Sequence, residues 1–462
     1  MVILSSSMAR IELPDEQIAD IERAEGKNRV FPRQPKKKGF GHFMRIIGPG
    51  VVTGAADDDP SGIATYSQAG AQFGLQTPWT LLLTFPLMVS VQEACMRIGA
   101  VTGRGLASLV RDTHSKWLLY PIVFLTVIAN TFNIGADMGA MAASTKLLLP
   151  GVPFSILAVG FAVLILLLEV LISYRTYVRI LKWLAVALLA YVVTALLVNV
   201  PWTEALKATV IPEFHFNKDF IYMIVAIFGT TISPYLFFWQ TSNVVEDEIA
   251  EKRLAQKGGT PHISKKYLRR LRIDTVFGML FSNVTAWFVI VVAAVVLHDG
   301  GITNITSAAD AAAALEPLVK GFPNAGLIAQ FIFTIGIVGI GLMSIPVLAG
   351  SSSYALSETF NWREGLFRKF KQAREFYLVI IVGTLLGLLM NFIGLDPIKT
   401  LVLSAVLNGV VAVPLIYIIM RVVKSERIMG EHKARFWSQF GLWVTFLVML
   451  IAAIFLLISF FI

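Results

Sequence analysis

The sequence predicts an all-α integral membrane protein of eleven transmembrane helices. They form five plus five inverted repeats with broken helices 1 and 6, followed by one further helix. Three observations carry this. Apolar runs long enough to span about 30 Å of hydrocarbon recur along the 462 residues, of which 56% are hydrophobic and only 15% charged. Lys and Arg gather in alternate loops. Two helix-breaking stretches, 54–62 and 229–235, lie inside the first and sixth apolar runs.

In chain order, residues 1–42 are polar and lack the apolar core of a signal peptide. They read as a cytoplasmic tail with at most a short helix around 15–25, and Lys36, Lys37 and Lys38 are placed to meet anionic lipid. Spans are expected near 43–73, 78–101, 117–143, 153–172, 181–200, 218–246, 271–297, 325–356, 376–394, 397–420 and 435–462. All should be helical, because backbone polar groups in lipid must be satisfied internally. The first, sixth and eighth are long enough to contain breaks. Segments 43–200 and 201–420 then form the first and second repeats, and 421–462 a cytoplasmic loop with the eleventh helix.

The net charge of +9 invites a nucleic-acid reading, which its distribution refutes. Of 39 Lys and Arg, 32 fall in segments 1–42, 102–116, 173–182, 247–272, 357–375 and 421–435. The other side holds only Lys146, Lys207, Lys218, Lys320 and Lys399, while Arg45 and Arg97 sit near span ends. The positive-inside rule places the N-terminus in the cytoplasm and, with an odd number of spans, the C-terminus outside, in a plasma membrane. A lone Cys95 excludes an intrachain disulfide.

Within the breaks, Pro60 and Pro234 remove a backbone donor and disfavour helix at the preceding residue. Asp59 and Ser233 are good N-caps and proline fits the next position, so each pair starts a helix. A helix starting mid-membrane means another ended there, leaving carbonyls at the negative end of its dipole. Asp57, Asp58 and Asp59 cannot face lipid, where each charge costs at least a few kcal/mol. Interrupted spans at matching places in two halves point to a transport site, an arrangement found in LeuT-type folds.

The expected ligands are all hard oxygens: the Asp59 carboxylate, carbonyls near Ala56–Asp58 and Thr230–Ile232, and the Ser233 hydroxyl. Oxygen donors suit Mg²⁺, Ca²⁺ or Mn²⁺, and Mg²⁺ keeps its waters where room allows. Neighbouring helical residues point different ways, so Asp57 and Asp58 are expected to face a water-filled vestibule. Asp137, deep in the third span, is a candidate for pathway or coupling. Gln240 and Asn408 could line the same path, though Asn408 could equally bridge two helices. Glu93 and Arg97, four apart, read as a helix-surface ion pair. The run Ala349-Gly350-Ser351-Ser352-Ser353 reads as close helix packing.

The stretch from Gly48-Pro49-Gly50 through Asp59-Pro60 to Gln68-Ala69-Gly70-Ala71-Gln72-Phe73-Gly74 resembles the first span of the NRAMP family of divalent-metal transporters. The resemblance continues through Ile98-Gly99-Ala100-Val101-Thr102-Gly103, Asp274-Thr275 with Gly278-Met279-Leu280-Phe281-Ser282-Asn283, and Val347-Leu348-Ala349-Gly350-Ser351 with Tyr354-Ala355-Leu356. It covers nearly the whole membrane portion and implies a LeuT-type fold. Departures are informative. Where the family has Asp-Pro-Gly-Asn, this chain has Asp59-Pro60-Ser61-Gly62, so Gly62 replaces a metal-binding Asn. The family's Met-Pro-His becomes Ser233-Pro234-Tyr235, removing a thioether. Asp137 is kept, but the acid three residues on is Ala140, and the ninth span lacks a basic partner. These differences are similar to the NRAMP-related magnesium transporters, a branch with a wider site and no proton coupling.

The expected function is therefore uncoupled, alternating-access uptake of partly hydrated Mg²⁺, with Mn²⁺ also accepted and the metal as cargo, not cofactor. The alternatives are a proton-coupled Mn²⁺/Fe²⁺ importer or a Na⁺- or H⁺-driven carrier of a small organic solute. Without a His-Glu-x-x-His helix, phosphate-binding loop or nucleophile elbow, an enzyme is not expected. The expected partners are divalent ions and the lipid bilayer, not nucleic acid, and the resemblance implies a monomer.

Overall fold

The computed structural model describes residues 53, 54, 56–113, 115–171, 189–250, 261, 263–320, 324–394 and 396–459. The expectations for the N-terminal tail, the first span up to residue 52, residues 181–188 of the fifth span and the middle of the 247–272 loop lie outside these residues. Among the described residues all regular structure is helical. The helices are α1 (Pro60–Phe73), α2 (Trp79–Thr102), α3 (Leu106–Thr113), α4 (Lys116–Leu148), α5 (Phe154–Leu171), α6 (Leu189–Leu197), α7 (Trp202–Val210) and α8 (Lys218–Thr231). They continue with α9 (Pro234–Ala250), α10 (Lys265–Ala293), α11 (Ala308–Ala313), α12 (Ala325–Phe360), α13 (Arg374–Met390), α14 (Pro397–Lys424), α15 (Glu426–Met429) and α16 (Phe436–Ser459).

Local chemistry sets the ends. Ser115, Asn217, Ser264 and Asp396 cap α4, α8, α10 and α14 by accepting first-turn N–H groups. Gly103, in the left-handed region at φ 61°, closes α2. Seven helical stretches are long and apolar enough to cross a membrane, counting α8 with α9 as one. At the other predicted positions stand α1, α5, α6 and α13. Both breaks are present: residues 53, 54, 56 and 57 are helical and Asp58 and Asp59 are not, while Ile232 and Ser233 separate α8 from α9. The eighth span is unbroken, α12 running 36 residues through Pro346. Short helices α3, α7 and α11 occupy predicted loops.

The packing has the reciprocity that a five-plus-five repeat requires. α1, from the first span, packs on α10, from the seventh; α9, from the sixth, packs on α2. Between these pairs, α4 lies against α12 and α14, and α8 against α14. The α8–α14 approach depends on Gly229, where any Cβ would run into the Ala405 carbonyl and Gly409 backbone. Exposed apolar faces, such as Ile156, Val163 and Leu167 on α5, read as lipid-facing. Trp117 and Trp437 are exposed at the starts of α4 and α16, where interfacial aromatics sit.

Both ends of the helix core are tied. At one end, Gln68 of α1 accepts from the Ile305 N–H at 2.8 Å, and His298 meets the Ala71 carbonyl at 2.8 Å. At the other, Glu358 of α12 accepts from Ser242 of α9 at 2.7 Å and from the Ala107 N–H of α3 at 2.8 Å.

Candidate cation site at the two helix breaks

Asp59 stands in extended conformation before α1, and its carboxylate accepts the Gly62 N–H at 2.7 Å. One carboxylate oxygen is thus used as the cap, where the positive helix N-terminus favours it. Gly62 sets the space beside it. A Cβ there would lie 3.2 Å from the Thr230 hydroxyl and 3.5 Å from an Asp59 oxygen. The missing side chain therefore lets the Thr230 hydroxyl, Tyr66 and the Asp59 carboxylate close in around this position, and puts the two breaks face to face.

The second break is neutral and largely satisfied within itself. The Ser233 hydroxyl donates to the Thr230 carbonyl at 2.7 Å and approaches the Gly229 carbonyl at 3.1 Å. Its proton is committed to its own helix, and its oxygen keeps acceptor capacity. Tyr235 donates to the Ala56 carbonyl at 2.9 Å, and the Tyr66 and Thr231 hydroxyls are 3.2 Å apart. These contacts stitch the breaks together. They also give the Ala56 carbonyl, an expected ligand, a protein partner.

Asp57 and Asp58 are at most 1% exposed, so in this conformation they face no open vestibule. The Ser282 hydroxyl of α10 lies 2.9 Å from an oxygen of each. A single hydroxyl has one proton to give, and Asp57 Oδ1 and Asp58 Oδ2 have no partner among the described residues. Two buried carboxylates with so few donors hold acceptor capacity that a proton, a water or a cation would balance.

Asp137 on α4 accepts from Ser344 of α12 at 3.0 Å and lies near enough to Asp59 for their charges to interact. Gln240 accepts from Thr53, joining α9 to the helical stretch ahead of the first break. Asn408 of α14 is 1% exposed, and neither amide atom has a partner among the described residues. The adjacent Gly409 abuts Val225 and Gly229 of α8. Thus Asp59, Gly62, Thr230, Ser233, Tyr235 and Ala56 come together. Asp57 and Asp58 turn toward α10, and Asp137 stands across from Asp59.

Sequence reasoning did not single out Ser282, Tyr66 or Ser344 as site residues, and took Thr231 only within the carbonyls of Thr230–Ile232, not for its hydroxyl. Ser282 belongs to a stretch that carries the family resemblance; Tyr66 and Ser344 look like ordinary polar residues until tertiary contacts exist. Elsewhere, Glu93 pairs with Arg97 and also with Arg272 at 2.8 Å, and takes the Ser438 hydroxyl at 3.0 Å, binding α2, α10 and α16 together. In the small-residue run, Ser351 donates to the Tyr235 carbonyl at 2.8 Å, and Gly350 packs under Trp239. No cluster of three His, Cys, Asp or Glu able to hold a metal occurs among the described residues, so any cation held here would rely on neutral oxygens besides a carboxylate.

A model of the natural resistance-associated macrophage protein-like family matches residues 50–459. The chain is 25% identical over 441 residues to the divalent metal cation transporter MntH of Bacillus subtilis, covering 92% of this chain and 94% of that one. It is 26% identical over 339 residues to MntH of Brucella suis, covering 72% and 70%. Among solved structures, the manganese transporter of Eremococcus coleocola aligns with TM-score 0.70 at 17% identity, over 92% of this chain and 88% of that one. MhsT in complex with L-phenylalanine aligns at TM-score 0.58 and 13% identity, over 89% and 98%.

Proposed function

The chain belongs to the natural resistance-associated macrophage protein-like (Nramp) family, and from that premise we propose that it carries divalent metal cations across a membrane by alternating access. Its fold is the LeuT-type arrangement of these transporters. The finer proposal is passive uptake of partly hydrated Mg²⁺, with Mn²⁺ accepted and no proton exchanged. The N-terminus is placed in the cytoplasm and the C-terminus outside, with 43–200 and 201–420 as the two repeats.

One observation carries the substrate reading: the Asp59 carboxylate faces Thr230 of the second break across Gly62, so the groups that meet there are hard oxygens. Neither break contributes sulfur or imidazole, so nothing there rewards a softer metal over an abundant hard one. Mg²⁺ dehydrates reluctantly, and a site offering one available charge beside neutral oxygens suits an ion that keeps several waters. Asp59 would attract the ion; Thr230, Ser233 and nearby carbonyls would order its water; Asp57 and Asp58 would supply the surrounding negative potential. Gln240, Tyr235 and Asn408 would border its route.

A second reading draws on Asp137, whose proximity to Asp59 suits a proton-coupled Mn²⁺ or Fe²⁺ importer. Purified protein in sealed liposomes separates the two, by following internal Mg²⁺ and internal pH together with Mn²⁺ as competitor. Mg²⁺ entry without acidification is expected. Acidification tracking Mn²⁺, with Mg²⁺ excluded, would replace the uncoupled reading by the proton-coupled one.

A further inference from the structure

The free acceptors on α4 extend beyond the site. Asn130, Asn133 and Asp137 are separated by three and four residues, so they share one face of that helix. All three are fully buried. The Asn130 amide nitrogen donates to Ser352 at 2.9 Å and the Leu348 carbonyl at 3.3 Å, leaving its Oδ1 without a partner among the described residues. Asp137 uses one oxygen on Ser344, and the other has no partner among the described residues. Asn133, between them, has no partner for either amide atom among the described residues. Burying a whole amide unpaired is destabilising, and its neighbours show that α12 carries hydroxyls for pairing.

A hydrated cation would satisfy this pattern. Its bound waters point hydrogens outward, so the surface it presents is all donors. A wall along which it moves needs acceptors, and the backbone carbonyls within a continuous helix are already used. The acceptors must come from side chains, and a free amide can turn its oxygen to the path.

We propose that Asn133, flanked by Asn130 and Asp137, is an outer-sphere station for the hydrated divalent cation after it leaves Asp59. The three positions span about 10 Å along α4. They lead from the Asp59 side toward the end of α4 that the charge asymmetry assigns to the cytoplasm. This rests on the hydrated-cation reading above and names residues that reading did not use. Asn133 acts on the ion's water and makes no metal bond, so it governs passage more than binding.

The test compares wild type, Asn133→Leu and Asn133→Asp in proteoliposomes for initial Mg²⁺ and Mn²⁺ uptake, with Mg²⁺ affinity of the purified proteins measured by calorimetry. Removing the acceptor in Asn133→Leu is expected to slow Mg²⁺ uptake about tenfold, as loss of a charge-assisted hydrogen bond would. Mg²⁺ affinity should stay unchanged, and Mn²⁺ uptake should fall less. Asn133→Asp, keeping an acceptor of the same shape, should retain Mg²⁺ uptake within about twofold. Wild-type rates in Asn133→Leu would overturn the station, as would equal loss of both ions and of affinity in both variants. Absence of Mg²⁺ entry in the wild type would instead overturn the hydrated-cation reading on which it rests.

Discussion

The two breaks occupy matching places in the two halves and share the same local device, a capping residue followed by proline, yet they are chemically unlike. The first brings three aspartates, one capping its own helix and two sharing the Ser282 hydroxyl. The second brings no charge, and its Ser233 hydroxyl is folded back onto the helix it follows. A repeat fixes where the chain opens and leaves what fills the opening free to diverge. On the proposed reading, charge on one side only would attract an ion strongly enough to enter without enclosing it by full chelation. Transport needs both.

The largest effect should come from the charged side. Asp59→Ala should reduce Mg²⁺ uptake by about a hundredfold or more, since a charge-assisted contact of roughly 2–3 kcal/mol is lost. Rates near wild type in sealed liposomes would dissolve the contrast between the breaks.

A second variant makes the neutral side softer. Ser233→Met with Gly62→Asn adds a thioether and an amide beside Thr230. It should shift the ratio of Mn²⁺ to Mg²⁺ uptake toward Mn²⁺ by about tenfold, roughly 1.4 kcal/mol of discrimination. Competition uptake would read it, and an unchanged ratio would show that selectivity lies elsewhere.

Smaller still is the seam between the breaks. Tyr235→Phe leaves the buried Ala56 carbonyl without its hydroxyl donor and should destabilise the protein by about 1 kcal/mol. Thermal unfolding in detergent, alongside uptake, distinguishes lost stability from lost transport.

The smallest effect sits outside the membrane, at the start of α11. Partial burial raises the Asp310 carboxyl, but hydrogen bonds from Thr306 and Ser307 outweigh it and hold the group below its ordinary value. A depressed carboxyl stabilises above its unfolded value and loses that contribution as pH falls through the folded one. The Ser307 capping box should therefore loosen only in strong acid, below the usual carboxylate range. Uptake in Asp310→Asn should differ little from wild type at neutral pH. A large change there would mean the loop carrying α11, and not the breaks, controls the rate.

Both breaks were legible from Asp59-Pro60 and Ser233-Pro234, because proline and capping chemistry act within a few residues. Span positions were legible from apolar length, although α10 begins at Lys265, earlier than hydropathy alone placed it. Helices α3, α7 and α11 were not, being too short to show a period apart from their packing. The pairing of Asp57 and Asp58 with Ser282, over 220 residues away in sequence, had no local sign. Nor did Tyr235 reaching Ala56. Such contacts exist only once the two halves are folded against each other.

The most direct test of the division between a charged and a neutral break is equilibrium Mg²⁺ binding to purified protein, measured by calorimetry on Asp59→Asn and Ser233→Ala side by side. Asp59→Asn is expected to lose measurable binding, while Ser233→Ala weakens it by about threefold to tenfold, the worth of one neutral hydrogen-bonding group. Wild-type affinity in Asp59→Asn, or abolished binding in Ser233→Ala, would contradict the assignment of charge to the first break and shape to the second.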